Sequence, residues 1–354
     1  MGRRQDAEHG ERSSSSAKPR RVMPWGDLPR GYPTDPGLLL VAKDSGVTSH
    51  DVVGAVRRVA ATRQVGHSGT LDPMATGLLV VAIGRATKLI QYLGQVDKSY
   101  RARICCGVSS STEDADGVLY PDENPVLTEP DVYGDERLSL AIDAAIGELT
   151  GNIMQVPSAV SAIKVAGRRA HELVRSGHEV VLAPRPVCIQ SFTRCSPIER
   201  STLVVQGRRV PVVEFEVDVT CSAGTYIRAL ARDLGQRLGV GAHLRSLHRW
   251  RIGPWDVEEA FSISQLAFMT ENLPVIPLEQ ICRDVFPAIA VNEDEARRLS
   301  AGMFIDRREP TGHVLRTGQW PAVAWCDCDP VALVSPRAGQ LKPDLQLMQT
   351  RKGI

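Results

Sequence analysis

The sequence predicts an α+β fold, in which a mixed, largely antiparallel sheet with flanking helices is followed by a small β-rich C-terminal domain. Strand-like and helix-like segments are interspersed through the body of the chain rather than sorted into blocks. Two of the segments, SYRARICCG and VVEFEVDVT, alternate apolar and polar residues, the pattern of half-buried hairpin strands rather than of a wholly parallel sheet. Past Phe286, HVLRTG, PAVAWCD and PVALVSPRAG are short strand-like runs separated by Gly and Pro, as in a small barrel.

Taken in order, residues 1–36 are rich in Ser, Arg, Pro and Gly and read as a flexible tail that buries too little apolar surface to order itself. GLLLVAKDSG is a buried strand ended by turn residues. TSHDVVGAVRRVAA is a helix with Ser49 as N-cap and Val52, Val53, Val56 and Val59 on one stripe. LLVVAIG is a second buried strand. SYRARICCG sends Tyr100, Ala102 and Ile104 to one face and Arg101 and Arg103 to the other. A helix at ERLSLAIDAAIGEL gathers Leu138, Ile142, Ala145 and Leu149. Another at TYIRALARDLGQRLG gathers Ile227, Leu230, Ala231, Leu234 and Leu238. These elements place a catalytic-sized body at 37–285, with an insertion at about 155–186, and the small domain at 286–354.

Composition narrows the classes. At 354 residues and 43% apolar content the chain is globular, and it shows no internal repeat. No apolar run approaches the ~20 residues that span a bilayer, and the N-terminus lacks the apolar core of a secretion signal, so a cytoplasmic protein is expected. The eight cysteines are scattered without the spacing of a zinc site, and no metal ligand set is assigned. The net charge of +1 conceals local blocks. Tyr226–Arg251 carries six Arg against one Asp, Gln155–Pro186 five basic residues against two Glu, and Thr112–Glu136 nine acids and no base. Singly, such runs are solvated faces; two basic segments on a neutral chain suggest a polyanion gripped locally.

GHSGTLDPMATGLL sets one carboxylate, Asp72, among Gly, Ser and Thr, with no second acid within ten residues. Pro73 favours an extended Asp72, so the acid reads either as an ordinary Asp-Pro turn or N-cap, or as a reactive group. The nearby Gly66, Gly69 and Gly77 permit close approach of backbone or ligand, and His67, Ser68 and Thr70 supply donors. CSAGTYIR, at a strand-to-helix junction, offers Arg228 as a cation for this acid.

These segments, with DKSYRA and QVPSAVSAIKVAGRRAHELVRSG, resemble in order and spacing the signature segments of the TruB family of bacterial tRNA pseudouridine synthases, which act on uridine 55. The likeness runs from about Gly37 to Phe286, with a weaker C-terminal similarity to a PUA-like RNA-binding domain. It implies the pseudouridine synthase type of sheet, isomerisation of uridine in the T-arm loop, tRNA as partner, no cofactor, and no obligatory protein partner for a monomer. The reaction breaks the bond from ribose C1′ to uracil N1 and rejoins C1′ to C5. One ionised carboxylate suffices as nucleophile, and a second acid poised to activate water would risk hydrolysis.

The resemblance further implies Asp72 as nucleophile, Arg228 as its ion-pair partner and Tyr100 as the active-site tyrosine. It implies His67 as the residue filling the space of a flipped-out uridine, and Tyr226 and Leu247 as the uracil pocket. Lys43, Lys88, Lys164, Arg168 and Arg169 become candidate phosphate contacts. Departures from the family pattern are Lys43-Asp44-Ser45-Gly46, where Lys-Pro-x-Gly is common, Ser68 for Thr, and Ala223 for Lys. Two other readings stand beside this one. Asp114 and Asp116 in TEDADG suggest a divalent-metal RNA nuclease, and the basic segments alone suit a non-catalytic RNA-binding or chaperone protein.

Overall fold

The computed structural model describes residues 22–122, 134–161, 180–269, 272–312 and 320–347, with parts of 162–179. The body begins with β1 (Gly37–Lys43), α1 (Ser49–Val59), β2 (Val65–Ser68) and β3 (Thr76–Ile83). A 3-10 turn (Gly84–Leu89) leads into the single turn α2 (Ile90–Leu93), then β4 (Lys98–Cys106), β5 (Val108–Ser110) and β6 (Leu119–Pro121). Next come α3 (Asp135–Glu148), β7 (Gly151–Gln155), the hairpin β8 (Lys164–Val165) and β9 (Arg168–Arg169), β10 (Arg185–Arg194), β11 (Glu199–Val205) and β12 (Arg208–Cys221). The body closes with α4 (Ile227–Arg237), β13 (Ala242–Ile252), β14 (Trp255–Asp256), α5 (Ile263–Phe268), β15 (Ile276–Pro277) and α6 (Leu278–Val285). The C-terminal unit holds β16 (Ala288–Ala290), α7 (Glu293–Ser300), β17 (Ile305–Asp306), β18 (Ala322–Cys326), β19 (Asp329–Arg337) and β20 (Gln340–Gln346).

Eleven strands form one sheet in the order β15-β1-β3-β13-β4-β12-β10-β7, with β2 on β3, β14 on β13 and β11 on β12. Every pairing is antiparallel except β3 with β13. This is the mixed, largely antiparallel sheet that the alternating segments predict. Its centre matters for the site: β3 and β4 flank β13, so Arg249 of β13 faces Gly77 on one side and Tyr100 on the other. Gly77 has φ +105°, and a Cβ there would lie 2.2 Å from the Arg249 carbonyl oxygen. Only glycine lets these two strands meet at the mouth of the site.

The helical stripes fall where the periodicity puts them. Leu138, Ile142, Ala145 and Leu149 of α3 and its C-cap join Ile227, Leu230, Ala231 and Leu234 of α4 over one region of the sheet. Val52, Val53, Val56 and Val59 of α1 cover Leu39, Val41, Leu79 and Val81. Two expectations are corrected. The N-cap of α1 is Thr48 rather than Ser49: its hydroxyl accepts from the Asp51 amide, and Asp51 reciprocates in a capping box. Ser49 is instead buried against the Asp72 loop. Of the expected tail of residues 1–36, the described part, 22–36, is packed rather than loose, because it lies along α1. There Leu28 is buried, and the Gly31 amide donates to the Arg58 carbonyl. Residues 1–21 fall outside the described residues.

The C-terminal sheet has the order β16-β18-β19-β20-β17 and its own apolar core. The expected division at 285/286 crosses a second, continuous core, in which Val323, Trp325 and Leu333 pack with Leu38, Leu78 and Phe286. The segment HVLRTG, read as a strand, lies outside the described residues.

Candidate active site

The loop 69–75 enters β3 as an Asp-Pro turn, closed by the Ala75 amide donating to the Asp72 carbonyl at 3.1 Å. Asp72 therefore caps no helix. The loop is fastened at successive residues. Arg249 donates to the carbonyls of Gly69 (3.0 Å) and Thr70 (3.5 Å). Ser49 Oγ donates to the Leu71 carbonyl and accepts from the Leu71 amide, at 3.1 and 2.9 Å. Lys43 Nζ and the Gly46 amide donate to the Pro73 carbonyl at 3.3 and 2.7 Å. Little freedom is left for the carboxylate between them.

Arg228, at the start of α4, grips that carboxylate side-on with two N–H groups of one edge: Nε donates to Oδ2 at 2.9 Å and Nη2 to Oδ1 at 3.1 Å. Its other N–H groups go to the carbonyls of Thr112 and Val160, each at 2.9 Å, and to Ser158 Oγ at 3.4 Å. Arg228 Nη1 also lies 3.5 Å from Asp114 Oδ2. The Arg228 and Asp114 side chains are 6% and 7% exposed, whereas Asp72 is 33% exposed, so the buried pair points a carboxylate that a substrate can reach. With all its donors engaged, Arg228 orients the acid and has none left for a phosphate.

A half-open cavity of about 280 Å³ lies over this pair, lined by Asp72, Arg228, Tyr100, Tyr226, Leu247 and Arg249 among others. The volume suits one nucleoside-sized group rather than a stretch of polymer. Tyr100 is 7% exposed, and burial pushes its hydroxyl up to about 12, so it remains protonated at neutral pH. Tyr226 caps α4, and Gln155 fixes its backbone at both ends. Gln155 Nε2 donates to the Tyr226 carbonyl, and the Tyr226 amide donates to Gln155 Oε1, at 3.1 and 2.9 Å. Burial also raises the Tyr226 hydroxyl.

The structure thus gathers Asp72, Tyr100, Arg228, Tyr226 and Leu247 and leaves His67, Lys88 and Lys43 outside the cavity lining. His67, on β2, is outside the cavity lining; its ring meets His50 edge-on at 5.7 Å, and its Nδ1 is buried without a partner. Lys88 is exposed on the 3-10 turn, away from the lining. Lys43 is corrected: it is 2% exposed, and Nζ donates inward to the carbonyls of Asp44, Val47 and Pro73. It braces the Asp72 loop, with its ammonium turned inward rather than toward solvent. Lys164, Arg168 and Arg169 lie on the β8/β9 hairpin, and their side chains fall outside the described residues.

Two further corrections concern charge. Asp114, the basis only of the alternative nuclease reading, receives Thr112 Oγ1 at 2.5 Å and the Asp116 amide at 3.1 Å and faces Arg228. The acid that is alone in sequence shares its arginine with a second acid in space. The basic segment Tyr226–Arg251 is largely neutralised at home. Arg232 pairs with Glu113 and Asp233, Arg237 with Glu148, and Arg245 with Glu214. Glu113 and Asp114 come from the acidic block, a long-range pairing that local charge counts miss. Sequence reasoning also missed Lys98, Arg249 and Gln155. For Arg249 a signal existed: it lies two residues after Leu247 on one strand, hence on the same face.

A family model described as TruB family pseudouridylate synthase (N terminal domain) matches residues 57–227, and one described as tRNA pseudouridylate synthase B C-terminal domain matches 228–275. A protein of Arthrobacter sp. (strain FB24) named tRNA pseudouridine synthase B is 45% identical over 312 residues, 87% of this chain and 95% of its own length. The chain belongs to the TruB family. A Mycobacterium ulcerans (strain Agy99) protein of the same name is 46% identical over 277 residues, 78% of this chain and 84% of its own. Among solved structures, a chain of the archaeal box H/ACA sRNP Nop10-Cbf5 complex superposes with a TM-score of 0.55 at 23% identity. It covers 88% of this chain and 85% of its own, a likeness of fold. Membership of the TruB family makes this chain a pseudouridine-forming isomerase, and the two family models meet at Arg228. Among the described residues no helix is long and apolar enough to cross a membrane.

Proposed function

We propose that this protein converts uridine 55 in the T-arm loop of tRNA to pseudouridine, with Asp72 as the nucleophile. The observation that carries the reading is the Asp72 carboxylate, held side-on by two N–H groups of Arg228 and exposed to a nucleoside-sized cavity. The pairing aims the carboxylate and leaves it reachable from the cavity, as attack on ribose C1′ requires. Bond by bond, C1′–N1 breaks and C1′–C5 forms, while C5 gives up a proton and N1 takes one. Reactant and product have the same formula.

Tyr100 supplies a ring to lie against the base and a hydroxyl that stays protonated. Leu247 and Tyr226 close the cavity around it. A uridine inside the folded arm must leave its stack to enter so small a space. The T arm is then gripped by the hairpin carrying Lys164, Arg168 and Arg169, and the C-terminal sheet serves as an RNA-binding module. The protein works in the cytoplasm as a monomer.

The test is incubation with an unmodified tRNA transcript in excess EDTA, with monovalent salt to fold the RNA, followed by mapping of pseudouridine. Conversion of uridine 55 alone is the expected result. Strand cleavage restored by Mg²⁺, or binding with no conversion, would favour the nuclease or the chaperone instead.

A further inference from the structure

Arg249 is the largest fully buried side chain of the described residues, 1% exposed, and among them it has no carboxylate within ion-pairing distance. Its partners are neutral: Leu78 O accepts from Nε at 2.9 Å, Gly69 O from Nη2 at 3.0 Å and Thr70 O from Nη1 at 3.5 Å, and the Tyr100 hydroxyl hydrogen-bonds to the guanidinium as well. Carbonyls satisfy its N–H groups but leave its full charge uncompensated, a costly arrangement in an interior. The other cavity arginine, Arg228, is the contrast, with two carboxylates.

A second cation shares the place. Lys98 is 7% exposed, lines the same cavity, and donates Nζ to the carbonyls of Gly94 and Val96 at 3.0 and 2.7 Å. Gly69, with φ +80°, shows how close the two lie. A Cβ there would stand 3.3 Å from Lys98 Cε and 3.5 Å from Arg249 Nη1. Lys43, also buried on carbonyls, does not reach the cavity lining. One side of the cavity is therefore the neutralised Asp72–Arg228 pair, and the other carries Arg249 and Lys98, which among the described residues make no ion pair with a carboxylate. Such a site is matched to a group that enters neutral and becomes an anion inside.

We propose that Arg249, supported by Lys98, is a further catalytic residue of this isomerase, holding the negative charge that the uracil ring acquires when it leaves ribose. The inference rests on the function proposed above. As an Asp72 oxygen bonds to C1′, the C1′–N1 electron pair departs with the base, and the charge spreads over N1 and the two carbonyl oxygens. A guanidinium beside them lowers the energy of that state and keeps the base from diffusing while it turns. C5 of the anion then bonds to C1′, the carboxylate leaves with its electron pair, C5 loses its proton and N1 gains one.

The experiment compares Arg249→Gln with wild type in single-turnover cleavage of the C1′–N1 bond, using tRNA with uridine or 5-fluorouridine at the target. Fluorine stabilises the departing anion, so the substrate replaces part of what the arginine supplies. On uridine the rate is expected to fall ~10²- to 10³-fold, with the tRNA Kd within severalfold. On 5-fluorouridine the loss shrinks by about tenfold or more, and Arg249→Lys recovers part of the uridine rate. Equal losses on both substrates would mean that Arg249 only braces the Gly69–Asp72 loop, and would overturn the proposal. A loss of affinity that accounts for the whole drop would make Arg249 a phosphate contact and would overturn it equally. Should Arg249→Gln fail to fold, Lys98→Gln measured on the same two substrates decides by the same criterion. Wild-type conversion of the uridine tRNA tests the underlying function separately, so its failure is distinguishable from the failure of this role.

Discussion

Arg228 holds both carboxylate oxygens of Asp72, at 2.9 and 3.1 Å, and sits 3.5 Å from Asp114 on its other side. One buried guanidinium thus serves two acids with different tasks: Asp72 opens onto the cavity, and Asp114 is sealed behind. Asp72→Asn keeps the shape and one acceptor while removing the proposed nucleophile. Pseudouridine formation should be abolished, with the tRNA Kd within severalfold, since the carboxylate is committed to Arg228 and the reacting ribose rather than to a phosphate. A loss of binding in proportion to activity would refute the assignment.

Removing the arginine tests the other half of the arrangement. Arg228→Ala leaves Asp114 buried without its cation, so urea unfolding should show a loss on the order of 3–5 kcal/mol along with a collapsed single-turnover rate. Adding Asp114→Asn should return much of the stability and none of the rate. If the double variant regains activity, Arg228 is structural and Asp72 needs no partner.

His67 gives a pH dependence of definite sign. Burial, with His50 and Arg249 nearby, pushes its imidazole down to about 4 from an ordinary value near 6.5. Between those values the unfolded chain takes up a proton that the folded protein refuses. Stability attributable to His67 is therefore intact above pH 6.5 and is lost as the pH falls toward 4. His67→Asn should flatten the fall in this window by up to about 1.4 kcal/mol per pH unit. Parallel unfolding curves for variant and wild type from about pH 6.5 down to about 4.5 would contradict it.

Local patterns carried over well into three dimensions, and long-range ones did not. Alternation placed Tyr100 inward on β4 and Arg101 and Arg103 outward, because a strand's period of two depends only on neighbours in the chain. The Asp72–Arg228 pair spans 156 positions and was legible through its flanking segments, Gly-rich before the acid and strand-to-helix before the arginine. Lys43, Lys98 and Arg249 were misjudged or missed for one reason. A basic residue in sequence is taken as solvated, and only the fold shows backbone carbonyls waiting for it. The part Asp114 plays beside Arg228 was likewise not legible, since a short acidic loop looks the same whether it faces a metal or a guanidinium.

The last expectation concerns where the RNA is held. The internal pairing of Arg228, Arg232, Arg237 and Arg245 removes four of the six arginines of Tyr226–Arg251 from contention, leaving the hairpin of β8 and β9 as the principal candidate grip. Each phosphate contact releases counterions, so log affinity falls with log salt by about 0.9 per contact on a duplex and nearer 0.7 on an unpaired loop. Neutralising Lys164, Arg168 and Arg169 together should weaken tRNA binding and reduce that slope by as many such steps as contacts are lost. The single-turnover rate at saturating tRNA should change far less, because none of the three is placed at the reacting ribose. Lys43→Met is the counterpart. Its ammonium lies inside, on the Pro73 carbonyl, so the salt slope should stay put while the rate falls through a loosened Asp72 loop. If instead Lys43→Met flattens the slope and the triple variant leaves it alone, the two groups have exchanged roles, and the RNA path runs over β1 rather than the hairpin.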